Sequence, residues 1–246
     1  HVAASGATSG SDNIYTLYID GQQFGAASSA LARIDISLAD QGYIGNIYTG
    51  SGAPLTGNIA HLGFWNTDLE QAEIRALMGA TTYAEAVTKS GNTPAAYYLF
   101  EADADASVGS PDGQRGSNAA IVGDSARLPR GADLSMTSGV PNRMDARLFG
   151  GRAVNFDGTG DFINCGTHAS SQIGTGVDFS VSYWAKTSTT SGEVYVFTRR
   201  DDHTGTGYDG WRFGFNNGMV RYNLQSDAGS DDSKEVNSTK VTADGM

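Results

Sequence analysis

The chain of 246 residues contains a single cysteine, Cys165, so it can form no internal disulfide and no cysteine-based zinc site. Bases are scarce as well: 16 Lys and Arg stand against 27 acids, for a formal net charge of -11. Nucleic-acid binding needs clustered cations to displace counterions from phosphate. The longest basic run is Arg199-Arg200, and Asp201-Asp202 follows at once, so no nucleic-acid partner is expected. No apolar run approaches the roughly 20 residues of a membrane-spanning helix. No membrane span is therefore expected. The opening His1-Val2-Ala3-Ala4 shows no secretory leader and reads as the interior of something longer. Charged residues make up 17% of the chain, too few for a solvated disordered tail.

What is present is glycine, 33 residues of it, and a hydrophobic fraction of 39%. That fraction suffices for a core if the apolar residues alternate. They do in many short runs. Ile14 to Ile19 is β-branched and aromatic, and Asp20-Gly21 supplies a tight turn. Gln41 to Gly45 is a short strand. Gly57 to Trp65 places Ala60, Leu62 and Phe64 on one face and His61, Gly63 and Trp65 on the other. Asp68 and Gln71 have the spacing of a capping box, Leu69, Ile74, Leu77 and Met78 form an apolar stripe, and Gly79 is a natural stop: one helix is expected here. A weaker helical pattern spans Tyr83 to Val87, ended by Gly91 and Pro94, and Tyr97 to Phe100 reads as a strand. From Glu101 to about Arg152 the periodicity vanishes into a Gly-, Ser-, Asp- and Ala-rich stretch, read as a connector or decorated edge. Strands resume at Val154. Phe179, Val181 and Tyr183 alternate with Ser180, Ser182 and Trp184, and Val194 to Thr198 is a further strand. The best hairpin runs from Trp211 to Leu224 about Asn217-Gly218. The pattern predicts an all-β, two-sheet antiparallel sandwich with one short surface helix.

Two stretches resemble the laminin-G-like, concanavalin A-like jelly-roll family. In residues 1–95, His1 to Ala4, Leu17-Tyr18-Ile19-Asp20-Gly21, Gly57-Asn58-Ile59, Phe64-Trp65-Asn66, Leu69 and Glu73-Ile74 look like the second half of such a domain. In the later stretch, Tyr97 to Phe100 and then, within 153–246, Ala153 to Gly158, Asp161-Phe162-Ile163 and Phe179 to Trp184 look like the first half. Residues 96–152 are the connector. The halves stand in reversed order, and joining Met246 to His1 nearly restores the family's linking strand, without its usual tryptophan. Three arrangements fit: one unit of a tandem array, a circular permutant, or two half-domains completed by neighbouring chains. The resemblance implies that Val2 and Ala3 pair near the strand ending at Val241, within one chain or across two.

Some glucanases of this fold carry alternating acids on a strand, and Glu101-Ala102-Asp103-Ala104-Asp105 is the comparable run here. It opens the glycine-rich stretch, where acids commonly only solvate a loop. His1, His61, His168 and His203 have no nucleophile-elbow turn beside them. No catalytic residue is assigned, and the chain is read as a non-enzyme. Calcium needs carboxylate and carbonyl oxygens, and Asp157 and Asp161 flank a glycine turn that brings two carboxylates together. They are the candidate Ca2+ ligands, although Asp157 equally suits a turn-fixing bond to its own backbone. Asp201, Asp202 and Asp209 with His203 form a second acidic loop. Sugars stack on exposed aromatics, and Tyr208, Trp65 and Asp202 are the candidate ligand-binding residues. Trp65, Trp184 and Trp211 also suit core packing. Asn237-Ser238-Thr239 is a glycosylation sequon. The resulting expectation is a non-catalytic structural and adhesive module of an extracellular, cell-surface or virion fibre, contacting copies of itself or adjacent repeats and surface glycans. The rival readings are a calcium-assisted carbohydrate-binding module and a glycoside hydrolase or lyase.

Overall fold

The computed structural model describes residues 1–10, 12–28, 31–32, 41–46, 53–100, 114–115, 120–121, 153–159, 161–166, 178–200, 210–225 and 233–241. In chain order the strands and helices are β1 (Val2–Ser9), β2 (Asp12–Ile19), β3 (Gln22–Gln23), β4 (Leu31–Ala32), β5 (Gln41–Ile44), β6 (Thr56–Trp65), α1 (Gln71–Leu77), α2 (Tyr83–Ser90) and β7 (Ala96–Tyr98). They continue with β8 (Gln114–Arg115), β9 (Ala120–Ile121), β10 (Val154–Asp157), β11 (Ile163–Gly166), β12 (Phe179–Thr187), β13 (Glu193–Arg200), β14 (Gly210–Asn216), β15 (Met219–Gln225) and β16 (Ser233–Val241).

Two antiparallel sheets form a sandwich. Sheet A runs β3-β2-β1-β12-β6-β10-β9, with β4 on β2 and β7 on β6. Sheet B runs β16-β15-β14-β13-β5-β11-β8. Strands from 1–95 and from 153–241 interleave in both: β12 lies between β1 and β6, and β5 lies between β13 and β11. The connector region contributes β7, β8 and β9. Between the sheets Phe64 packs on Phe197 with ring centroids 4.7 Å apart, Phe197 stacks on Trp211 at 4.8 Å, and Phe213 stacks on Tyr222 at 4.5 Å. Tyr15 of sheet A reaches Tyr222 at 5.3 Å. Each large apolar side chain buried this way is worth about 1.5–3 kcal/mol. Cys165 lies in the same core.

The alternation expected of β12 holds: Phe179, Val181 and Tyr183 enter the core. In β6 it breaks. His61 has φ 51°, and the register against β12 shifts between Ser182 and Trp184. This bulge puts Ile59, Leu62 and Phe64 in the core and turns Ala60 out against Ala153 and Trp184, not inward with Leu62 as expected. Within the chain, the pairing of Val2 and Ala3 also differs from expectation. Val2 stands opposite Ile19 and Tyr183 in sheet A, whereas β16 is the far strand of sheet B and pairs with β15. The cause is burial on both faces: Val2 and Ala4 enter the main core while Ala3 joins an outer cluster, so β1 needs an interior position.

That outer cluster is Tyr18, Trp65 and Tyr97 from sheet A under Leu69, Ile74 and Leu77. Two short helices provide the cover: the one expected after Asp68, and a second over Tyr83–Ser90, where the weaker helical pattern lies. α1 begins after Glu70, not at Asp68, because Leu69 is pinned first: it is buried, and its N–H donates to Ser180 Oγ at 2.6 Å. The Glu70 N–H then donates to Glu73 Oε2 at 2.7 Å. α2 is capped by Thr82, whose hydroxyl accepts from the Glu85 N–H at 3.2 Å, and ends at Gly91 in the left-handed conformation, φ 68°.

Candidate functional site

The outward face of sheet B carries a connected set of polar side chains from β13, β14 and β15. β13 has a bulge between Tyr195 and Phe197, so Val194, Val196 and Phe197 face the core while Tyr195 and Thr198 face out. On β14, Trp211, Phe213 and Phe215 face in, leaving Arg212 and Gly214 outward. Across the Asn217-Gly218 turn, Arg212 stands opposite Asn223 and Gly214 opposite Arg221. Arg212 donates from Nε to Asn223 Oδ1 at 3.1 Å, and from Nη2 to Asn223 Oδ1 at 2.6 Å and Gln225 Oε1 at 2.8 Å. Its Nη1 donates to the Tyr195 hydroxyl at 3.3 Å, and its guanidinium carbon lies 5.6 Å from the centre of the Tyr195 ring. Tyr195 in turn donates to the Glu193 carboxylate.

Arg221 completes the face differently. It bridges the carboxylates of Glu193 and Glu235. It reaches Glu193 across Gly214, where a Cβ would stand 2.1 Å from Val194 O. Burial pushes the Glu193 carboxyl upward, but the Tyr195 hydroxyl and the Arg221 guanidinium outweigh it and hold the group below its ordinary value. The face therefore carries one cation neutralised by two acids and a second cation, Arg212, held by neutral oxygens. Such a surface can take an anion or a polyhydroxy ligand.

The Asp157–Asp161 turn forms at one corner. The Asp157 N–H donates to Asp161 Oδ2 at 2.6 Å, and the Thr159 N–H donates to Asp157 Oδ1 at 2.7 Å. Asp157 thus does fix its own turn. Asp161 is 1% exposed, and its Oδ1 makes no hydrogen bond. Burial raises its pKa, the backbone bond to Asp157 opposes this, and the Asp157 charge adds to it. The orphaned oxygen suits a hard cation in kind. In number, the turn offers two carboxylates toward the six to eight oxygens calcium takes. Among the described residues no three His, Cys, Asp or Glu side chains group as a metal site.

Trp65 is 1% exposed. It packs edge-on against Tyr97 at 6.2 Å, and its Nε1 donates to Asn92 O at 3.3 Å, so it offers no open face to a sugar in this structure. Trp211 is core, and Trp184 is half-buried against the edge of His1 at 5.2 Å. His1 Nε2 lies 2.7 Å from Ser182 Oγ, but both are buried and Nδ1 of the ring has no hydrogen-bond partner. Tyr208, Asp202, Asp201, Asp209 and His203 lie outside the described residues, as do Glu101, Asp103 and Asp105. The Arg212 cluster was not singled out from sequence. Its signal was there: a two-residue turn at Asn217-Gly218 fixes the register and sets Arg212 against Asn223.

No family model, curated protein or solved structure matches this chain. The described helices include none long and apolar enough to cross a membrane.

Proposed function

We propose that this β-sandwich is a structural and adhesive module, a laminin-G-like jelly-roll unit of a larger extracellular, cell-surface or virion fibre protein that associates with copies of itself or with adjacent repeats. The observation that carries the reading is β16. It is a nine-residue strand at the margin of sheet B, paired on one side with β15. The Val220 N–H points toward it, donating to Ser238 Oγ at 2.9 Å, and Tyr222 and Leu224 pair with Val236 and Lys234 in the same phase. By antiparallel alternation the backbone groups of Glu235 and Asn237 then point away from the sheet, available to a neighbouring strand. Light scattering of the purified chain is expected to show concentration-dependent association. Asn237→Pro removes an outward N–H without touching the inner ladder and is expected to shift the protein to monomer while near-ultraviolet dichroism stays unchanged. A monomer at every concentration rules the assembly role out.

A second reading, a calcium-assisted carbohydrate-binding module of a larger polysaccharide-active protein, is favoured by the orphaned oxygen of Asp161 and by the polar face around Arg212.

A further inference from the structure

Two arginines share the outward face of sheet B in opposite surroundings. Arg221 sits between two carboxylates. Arg212 is held only by the amide oxygens of Asn223 and Gln225 and by the Tyr195 hydroxyl, and among the described residues no carboxylate forms an ion pair with it. The chain carries 27 acids against 16 bases. Glu193 feels the Arg212 charge through space, but its ion pair is with Arg221, so no carboxylate in contact neutralises Arg212.

We propose that Arg212 anchors a site for carboxylate-bearing sugars, uronic acid units of an acidic polysaccharide. A guanidinium has five N–H donors. The four bonds to Asn223, Gln225 and Tyr195 fix its plane and leave one Nη1 hydrogen for an incoming carboxylate oxygen. That bond is charge-assisted, and the side chain is already ordered when the ligand arrives. Gln225 keeps its amide NH2 beside the guanidinium, a donor suited to a ring hydroxyl. The inference rests on the carbohydrate-binding reading and specifies its ligand class.

The test is calorimetric titration of the whole chain with trigalacturonate, with free galacturonate and with the neutral galactotriose. Trigalacturonate is expected to bind at least about tenfold more tightly than galactotriose. Arg212→Gln is expected to lose about tenfold or more of that affinity, the range of a charge-assisted bond. Arg212→Lys, which keeps the charge but not the fork, should retain part of it. Arg75→Gln, an exposed charge on α1 over the other sheet, controls for net charge and should bind as the parent does. Melting curves of each variant exclude unfolding as the cause of a loss. Binding of galactotriose alone overturns the acidic-sugar site and leaves carbohydrate binding standing. Binding of none overturns both. Equal affinity for free galacturonate shows a site for small carboxylates and overturns the polysaccharide assignment, as does an unaffected Arg212→Gln.

Discussion

Asp161 is a carboxyl withdrawn from water with one oxygen satisfied and one not. Its raised pKa has a definite sign in stability. The folded state favours the protonated form, so its stabilising contribution is complete below the unfolded value of 3.8 and is lost as pH rises through the folded value. In chelator at pH 7, Asp161→Asn keeps the acceptor for the Asp157 N–H and removes the desolvated charge. It is expected to raise the melting temperature there and to leave it unchanged near pH 3. Calcium reverses the sign, because a bound cation favours the carboxylate. If the turn holds calcium, the ion raises the melting temperature of the parent and not of Asp161→Asn; identical curves with calcium and with chelator sink the calcium assignment. At this scale the sequence was partly legible. The Asp-Gly-Thr-Gly-Asp spacing announced a turn with two converging carboxylates, but only folding reveals that one of them is buried. Trp65 shows the converse: an aromatic next to polar strand positions looks like a sugar platform until two helices are laid over it.

Elements whose signals are local were legible, and those set by partners were not. The β14–β15 hairpin needs only its own residues: Asn217 at φ 50° and Gly218 at φ 76° form the turn that an Asn-Gly pair predicts. A left-handed position costs a residue with a Cβ about 1–2 kcal/mol. Gly218→Ala is accordingly expected to destabilise the chain by about that amount in urea denaturation; no change in the midpoint would mean the hairpin contributes nothing to the folding equilibrium. The bulge in β6 is a different matter. Nothing in Ala60-His61-Leu62 signals a left-handed histidine, because the extra residue that β6 carries there is defined only by its pairing with β12. The start of α1 likewise follows from the Leu69 N–H meeting Ser180, a residue more than a hundred positions away. Asp68 has the better capping chemistry and loses to a tertiary contact.

At the scale of the whole molecule, periodicity and turns disclosed two layers of antiparallel strands, and the described strands form them. The order of strands was not legible, since alternation tells which face a strand buries and not which neighbour it takes. Interleaving β1, β5 and β6 with β10 to β13 makes each sheet depend on both ends of the chain, so neither layer can close before the other stretch arrives. The lone thiol inherits this dependence. Cys165, on β11 between β5 and β8, is buried in a core built from both stretches, and burial pushes its pKa up to about 12, so neither access nor ionisation favours attack by an alkylating reagent. The folded protein is therefore expected to resist iodoacetamide, with modification proceeding at the rate of global opening measured independently by dichroism. Fast alkylation in native buffer would mean that β11 opens on its own. With no competing thiol, the chain carries a built-in stopwatch for its own cooperative unfolding, and any cysteine engineered onto the surface can take a fluorophore without interference.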